Sequence, residues 1–160
     1  MRPFFHDLGE AKAVHAPVSV ISAADTHRAV PALRVLWPRY GEDEMVAVVN
    51  DVLRPNGYHL VGFLPPDGGP APCVLGYRYQ HSLWLGKSLY VVDIATLPDH
   101  RGQGLAAMIM DWTEQEAQRQ GCQAVHLDSG VGPDRASAHR LYMSRHFQIG
   151  CHHFVKKFPS

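Results

Sequence analysis

The stretch LPDHRGQGLA, residues 97–106, joins a β-rich run to an amphipathic helix through a glycine-containing turn. Upstream, residues 88–97 are rich in β-branched and aromatic side chains, which predicts a strand. Downstream, large apolar residues recur at the helical spacing i, i+3, i+4 and i+7, which predicts one apolar helix face. These residues are Leu105, Met108, Ile109 and Trp112. The sequence therefore predicts a helix that begins at the glycines.

A helix that begins at Gly102 and Gly104 directs unpaired backbone N–H groups, and about half a positive charge, toward whatever lies before it. Phosphate oxygens bind at such a helix end without a side-chain cation, and glycines let them approach the backbone closely. The turn therefore predicts a phosphate-binding site. The alternative is that the two glycines serve only the steric needs of the turn.

The spacing Arg101-x-x-Gly104-x-Ala106 resembles the pyrophosphate-binding signature of the GNAT superfamily of acyl-CoA-dependent N-acyltransferases. The resemblance implies that acetyl-CoA is the cofactor and that its pyrophosphate contacts the whole turn. The cofactor-binding residues are then Arg101, Gly102, Gln103, Gly104, Leu105 and Ala106.

A second segment, 138–142 followed by Phe147, is similar to the second GNAT signature, in which an alanine, a Leu-Tyr pair and a later Gly-Phe lie beside the cofactor tail. Two residues depart from the family pattern. His146 stands where the family usually has glycine, and Arg135 stands where asparagine is common. The departures leave the predicted fold unchanged and put only details at the edge of the cofactor site in doubt.

The periodicity of the whole chain predicts the element order βααβββαβαββ. Strands are predicted at 18–21, 58–64, 73–84, 88–97, 122–127, 147–149 and 153–158. Helices are predicted from Asp25 or Thr26 to Leu36, at 42–53, from the glycine turn onward, and from Pro133 to near Phe147. This order resembles the GNAT fold, of the α/β (α+β) class, with a mixed, mostly antiparallel central sheet and helices on both faces. We expect a single domain over residues 1–160, with 1–16 as a loose arm or part of a dimer contact.

In that family a V-shaped gap between two central strands receives the pantetheine arm of the cofactor. The resemblance places the arm against the strand backbone at Ile94, Ala95 and Thr96, whose alternative role is ordinary pairing with a neighbouring strand. It also places a backbone N–H donor for the developing oxyanion at a bulge near Ile94 or Ala95. Such a donor contributes roughly 2.7–4 kcal/mol to acyl transfer.

Tyr142 and Asp93 are the candidate catalytic residues. By the resemblance, Tyr142 is the general acid that protonates the leaving thiolate, and its alternative role is ring packing beside Leu141. Asp93 lies among apolar strand residues, so burial would raise the pKa of its carboxyl toward that of a general base. The alternative is that Asp93 binds the substrate ammonium without moving a proton. Both roles predict a cationic amine acceptor.

His81 and Tyr79, on the strand expected to border the acceptor, are candidate substrate-binding residues, and His81 is also an alternative base. Surface placement of His81 and ordinary sheet packing of Tyr79 are the competing interpretations. The chain has 11 histidines. Their spacing provides no His-Glu-x-x-His pattern, so we predict no metal site.

Composition narrows the class of protein further. Lys and Arg number 15, and Asp and Glu also number 15, which argues against a nucleic-acid or membrane-surface partner. Three widely separated cysteines favour neither a disulfide framework nor a zinc site, and a reducing cytoplasm fits them best. No apolar run of membrane-spanning length and no signal-peptide core is visible.

The leading hypothesis is an N-acetyltransferase that moves the acetyl group of acetyl-CoA to a primary amine by direct attack in a ternary complex. The acceptor is a small-molecule or peptide amine that the sequence does not identify, and a homodimer is consistent with the family. The alternative is a non-catalytic acyl-CoA-binding sensor or regulatory module on the same fold. Dinucleotide binding is disfavoured, because the Gly-x-Gly-x-x-Gly spacing is absent.

Overall fold

The computed structural model describes residues 17–159, which form one mixed sheet with helices on both faces. The strands are β1 (Val18–Val20), β2 (His59–Phe63), β3 (Cys73–Ser82), β4 (Gly86–Thr96) and β5 (Ala124–Leu127). The helices are α1 (Thr26–Leu36), α2 (Glu42–Ala47), α3 (Leu105–Arg119) and α4 (Ala136–Ser144). The predicted fold class is confirmed.

The strands lie in the order β1-β2-β3-β4-β5, so each strand pairs with its neighbour in sequence. The first four strands run antiparallel, and β5 runs parallel to β4. A parallel partner needs a crossover connection, which α3 provides between β4 and β5. The mixed, mostly antiparallel sheet is therefore as predicted.

Each face of the sheet carries its own apolar core. Toward α1 and α2, the core includes Leu33, Met45, Val49, Leu60 and Val74. Toward α3, it includes Leu75, Leu89, Leu105, Ile109 and Met110. Two cores on one sheet are expected when strand side chains alternate between faces.

The predicted apolar face of α3 needs one correction. Leu105 and Ile109 are fully buried, and Trp112 is half-buried, but Met108 is 41% exposed. Met110 is fully buried instead. A helix turns by about 100° per residue, so the sheet covers an arc that includes Met110 but not Met108.

The two strands predicted at 147–149 and 153–158 are wrong. In the structure residues 147–159 form no strand, and several of their apolar side chains are exposed, including Ile149, Phe154 and Phe158. Strand propensity reflects packing on a sheet, and no strand of the described chain pairs with this segment. The second predicted helix, 42–53, is also altered, because after Ala47 it continues as a π-helical segment, Val48–Leu53.

Helices α3 and α4 end in the same hydrogen-bond pattern. After α3, the Gly121 N–H bonds the Gln118 carbonyl and the Cys122 N–H bonds the Ala117 carbonyl. After α4, His146 and Phe147 make the equivalent bonds to Met143 and Tyr142. This pattern requires a left-handed residue, for which glycine is the usual choice. Gly121 has φ 70° and His146 has φ 63°, so His146 adopts the conformation that favours the glycine of the family pattern.

Among residues 17–159, no helix combines the length and the apolar character that crossing a membrane requires.

Candidate functional site

The pairing between β4 and β5 stops halfway along β4. The last paired residues are Val91 and Leu127, whereas β4 continues to Thr96 and stays paired with β3 up to Cys73. Over residues 92–96, the side of β4 that faces away from β3 therefore has no strand partner within the described residues. Ile94, Ala95 and Thr96, predicted to pair with the pantetheine arm, all lie on this unpaired edge.

The turn after β4 presents unpaired donors. Gly102 and Gly104 have φ 74° and 79°, a conformation that only glycine adopts easily. Within residues 17–159, the backbone N–H groups of residues 102–107 make no hydrogen bond; the first bonded N–H is that of Met108, to the Gly104 carbonyl. A Cβ added at either glycine would meet nothing within 4 Å. The N-terminus of α3 therefore has the open, unpaired donors that an anion cradle requires, and phosphate binding there stays a prediction.

The bulge in β4 lies earlier than predicted. On β3, Gly76 pairs with Asp93, and the next residue, Tyr77, pairs with Val91. Val92 therefore has no partner on β3 and is an extra residue in β4. The expectation of a bulge near Ile94 or Ala95 is corrected to Val92. A bulge inserts a residue and bends its strand, and its position depends on pairing with another strand, which sequence alone does not reveal.

The bulge decides which face Asp93 occupies. Val91 packs in the α3 core and Val92 packs toward α1, as alternation requires. Asp93 would next return to the α3 side, yet its carboxylate bonds two side chains of the α1 side, Trp37 and Tyr58. The extra residue therefore turns the Asp93 carboxylate toward α1 and α2.

Two neutral donors hold the Asp93 carboxylate. The Trp37 indole N–H donates to Oδ1 over 2.7 Å, and the Tyr58 hydroxyl donates to Oδ2 over 2.8 Å. Asp93 is only 7% exposed and has no ion pair with any residue of 17–159. The site therefore orients a carboxylate without neutralising its charge.

Burial raises the pKa of the Asp93 carboxyl above its ordinary value. The hydrogen bonds from Trp37 and Tyr58, and the positive charge of Arg78, oppose that rise without cancelling it. The Tyr58 hydroxyl has a pKa well above its usual range, mainly because it is buried, and Asp93 adds to the effect. Tyr58 therefore remains a proton donor to the carboxylate at any physiological pH.

Gly76 makes the Tyr58 contact possible. Gly76 lies directly opposite Asp93 on β3, and the Tyr58 side chain crosses above it. A Cβ at position 76 would lie 1.9 Å from the Tyr58 hydroxyl oxygen. Any larger residue must displace Tyr58 from Asp93.

Asp93 opens into a small cavity of about 210 Å³ between β4, α1 and the α2 region. Its wall is largely apolar, with Leu33, Met45, Val48, Val49, Leu53 and Val92, and Trp37, Arg39 and Tyr40 complete the lining. The π-helical segment after α2 contributes three of these residues. A carboxylate at the end of an apolar cavity suits the binding of a small cation.

Tyr142 lies elsewhere. It is 8% exposed on α4, its ring centroid is 6.0 Å from that of Phe147, and it lines a second cavity of about 1040 Å³ beside β5. Burial raises the pKa of its hydroxyl, and Arg135 partly offsets this. The Tyr142 hydroxyl has no hydrogen-bond partner among residues 17–159. The structure does not bring Tyr142 and Asp93 into one cavity.

His81 and Tyr79 lie away from Asp93. His81 is exposed near the tip of the β3–β4 hairpin, roughly 17 Å along β3 from the residue opposite Asp93. Tyr79 faces α3, where its hydroxyl donates to Glu116 over 2.8 Å. Their role in substrate binding stays a prediction. Within residues 17–159, no three His, Cys, Asp or Glu side chains are grouped so that they could hold a metal.

Trp37, Tyr58 and Gly76 were not identified from the sequence. Trp37 is the C-cap of α1, and Tyr58 follows the left-handed Gly57 at the start of the strand predicted at 58–64, so local patterns give neither residue a role at a site. Only the pairing of β2, β3 and β4 places them at one carboxylate. A glycine inside a predicted strand, such as Gly76, was the one available signal of close approach.

The described residues form a mixed sheet in which β4 loses its β5 partner at the bulge and leads into a glycine turn and an open helix N-terminus. This arrangement defines an α+β domain of the predicted kind. Residues 26–147 match the model of the Acetyltransferase (GNAT) family, so the chain belongs to this family. The resemblance predicted from the two signatures is confirmed.

The curated relatives are N-acetyltransferases. The chain is 31% identical over 96 residues to the thialysine N-epsilon-acetyltransferase of Bos taurus, a match covering 52% of this chain and 56% of that protein. It is 26% identical over 80 residues to the aminoalkylphosphonate N-acetyltransferase of Salmonella typhimurium, covering 50% and 49%. The matches thus span about half the length of these relatives.

Among solved structures, an aminoglycoside N-acetyltransferase in complex with CoA superposes with a TM-score of 0.75. That match covers 91% of this chain and 96% of the other, at 14% identity. The likeness extends the shared fold over nearly the whole chain.

Proposed function

We propose that this protein is an acetyl-CoA-dependent N-acetyltransferase that acetylates a small primary amine. The observation that carries the proposal is the arrangement along β4. One end of the strand leads into the open N–H groups of residues 102–107, its middle offers an unpaired edge, and its bulge turns Asp93 into an amine-sized cavity. Relatives named for acetylating thialysine and aminoalkylphosphonates, both amines, support the same reaction.

Backbone groups form the proposed cofactor-binding site. The N–H groups of Gly102 to Ala106 hold the pyrophosphate, and the edge at Ile94, Ala95 and Thr96 pairs with the amides of the pantetheine arm. Bound acetyl-CoA supplies the acetyl group as a thioester. Arg101 is exposed beside the turn and adds positive charge at its rim.

The acceptor side depends on Asp93. An alkylamine with a pKa near 10.4 is only about one part in a few thousand neutral at pH 7, which costs roughly 4.6 kcal/mol. The Asp93 carboxylate attracts the ammonium into the cavity and then accepts its proton, directly or through water. The raised pKa of Asp93 suits this second role, because it makes the carboxylate a stronger base near neutral pH.

Tyr142 is the proton donor for the departing thiol in this proposal. Its raised pKa keeps the hydroxyl protonated at neutral pH, and its hydroxyl has no acceptor among residues 17–159 to compete for the proton. The reaction proceeds by direct attack, and no cysteine is needed as a nucleophile. Cys73 is buried with a pKa of about 11, the opposite of an activated thiol.

The cellular setting and assembly are part of the proposal. The outer edge of β5, which no strand of residues 17–159 covers, and the exposed apolar side chains of residues 149–158 offer a contact for a homodimer. Three free cysteines suit a reducing compartment, so we place the protein in the cytoplasm.

Two glycine variants test the cofactor site. Gly104 and Gly121 flank α3, both have positive φ, and both would place a Cβ in open space. Gly104→Asp puts negative charge in the anion cradle, whereas Gly121→Asp puts the same charge at the opposite end of the helix. We expect acetyl-CoA and coenzyme A, but not NAD, to stabilise the wild type and Gly121→Asp by about 2.7 kcal/mol at 100 times the dissociation constant. Gly104→Asp should lose this stabilisation.

Thiol release from acetyl-CoA with a panel of primary amines then tests the reaction itself. We expect release above the hydrolytic background, lowered at least tenfold in Asp93→Asn and in Tyr142→Phe. Cofactor binding without release for any amine would contradict the enzymatic proposal and leave a binding module. Equal loss of binding in both glycine variants would contradict the cradle.

A further inference from the structure

Arg78 lies on the same face of the sheet as Asp93 and is a cation with no anionic partner in the described part of the chain. It lies on β3 opposite Tyr90 of β4, two residues beyond the Gly76 that faces Asp93. Its side chain makes no hydrogen bond and no ion pair with any residue of 17–159. Its Nε atom is buried and unsatisfied.

The aromatic ring of Tyr90 is its main neighbour. The guanidinium carbon of Arg78 lies 5.8 Å from the ring centroid, and the Tyr90 hydroxyl donates to Asp128 over 2.7 Å. Asp128 is therefore engaged by Tyr90 and also by His153, at 3.3 Å. This cation–π contact places no hydrogen-bond acceptor on the guanidinium donors of Arg78.

A half-buried guanidinium without an anion is costly, because burial removes water that would otherwise solvate it. Arginine presents a planar fork of N–H donors that matches carboxylate and phosphonate oxygens. An anionic group of a bound ligand would supply the missing acceptors. No carboxylate of residues 17–159 does so.

Arg78 does not line the 210 Å³ cavity, but it lies on the same face of the sheet as Asp93, close to it. With about 3.4 Å per residue along a strand and about 4.8 Å between strands, the Cα atoms of Arg78 and Asp93 lie roughly 8 Å apart. The charge of Arg78 also acts on the Asp93 carboxyl, which indicates that the two groups share one electrostatic environment. A small molecule with an amine and an acid group a few bonds apart spans such a distance.

We infer that the amine acceptor carries an acid group, a carboxylate or phosphonate, which Arg78 binds while Asp93 receives the amine. This inference rests on the proposed function and names its substrate class. Arg78 then selects amino acids and similar zwitterions over plain alkylamines of the same size.

Matched acceptor pairs test the inference. β-Alanine and 4-aminobutyrate differ from their amides chiefly in the charge of the acid group, so each pair isolates the contribution of that charge. We expect wild-type kcat/KM to favour the acids roughly 10- to 100-fold. Arg78→Gln should abolish that preference by lowering kcat/KM for the acids to the level of the amides. Arg78→Lys, which keeps the charge without the fork, should retain part of the preference.

Arg140→Gln is the matched control, because Arg140 is an exposed arginine on α4, and it should keep the full preference. Equal rates for acids and amides in the wild type would overturn the inference and leave the N-acetyltransferase proposal standing. So would an equal loss of both rates in Arg78→Gln together with a shifted pH profile, which would mean that Arg78 acts only through Asp93.

Binding separates the inference from the activity. If no acceptor releases thiol, calorimetric titration of the same acids and amides into protein saturated with coenzyme A decides the outcome. Arg78-dependent binding of the acids would support the inference while the enzymatic proposal fails. Absence of such binding would overturn the inference.

Discussion

Two buried carboxylates lie on opposite faces of the sheet and are treated differently. Asp93 is 7% exposed and Glu116 is 6% exposed. Glu116 accepts hydrogen bonds from Tyr79 and Gln120 and pairs with the positive charge of Arg119. Asp93 accepts from Trp37 and Tyr58, both neutral.

The contrast separates a carboxylate that stabilises the fold from one that can bind a cationic ligand. A carboxylate with its own arginine has its charge compensated within the fold, so a cationic ligand gains little there. A carboxylate held by neutral donors keeps its charge, and its burial stays unfavourable until a cation binds. The wall of the 210 Å³ cavity includes Asp93 and not Glu116, which agrees with this distinction.

Of the variants that test this comparison, the one that fills the space above Gly76 should have the largest effect on stability and activity. Gly76→Ala forces the Tyr58 hydroxyl away from Asp93, and we expect a loss of about 3 kcal/mol in the free energy of unfolding together with most activity. Urea unfolding followed by circular dichroism measures the loss. Gly68→Ala is the control, because its Cβ meets open space and only its φ of 82° opposes the change, at about 1 kcal/mol. A Gly76→Ala protein as stable as this control would contradict the Tyr58 assignment.

Removing one tyrosine hydroxyl from each carboxylate tests the comparison directly. Tyr58→Phe leaves Asp93 with a single donor and should cost about 2 kcal/mol. Tyr79→Phe leaves Glu116 with Arg119 and Gln120 and should cost about 1 kcal/mol or less. The same unfolding measurement serves both variants. Similar costs would show that the two acids are equally supported, and a loss of activity in Tyr79→Phe would favour its predicted substrate role.

The smallest effect should appear in the pH dependence of stability. The folded pKa of Asp93 is raised above its ordinary 3.8, so the folded state binds its proton more tightly than the unfolded chain. The contribution of this group therefore falls as pH rises from about 4 through the folded pKa. We expect the stability of the wild type relative to Asp93→Asn to decline across that window. A rising difference would mean that the hydrogen bonds outweigh burial.

Local sequence patterns predicted much of this molecule. The glycine turn, the strand before it and the helix after it depend on neighbours in sequence, and all three appear where the pattern placed them. Asp93 was also found from the sequence, as an acid among apolar residues. The unusual position of His146 in a glycine site was visible as a departure, and its left-handed backbone explains why the family prefers glycine there.

The sequence did not predict features that depend on pairing between distant segments. The bulge at Val92, the crossing of Tyr58 above Gly76 and the absence of strands in residues 147–159 all depend on which strand lies beside which. Nothing in the sequence distinguishes Arg78 from the other charged residues, so it was not predicted as a site residue. Its significance comes from the lack of a hydrogen bond or ion pair to any residue of 17–159, which the fold alone reveals.

The bulge at Val92 has a consequence for how this site can change over time. A substitution changes the side chain at a strand position, but it does not change which face of the sheet that position occupies. Deleting Val92 would restore simple alternation and place Asp93 directly after Val91, on the α1 side that it already occupies. Length variation at this point of β4 therefore adds or removes the neighbour that Asp93 has in the cavity wall, Val92, and leaves the acid on its own face of the sheet.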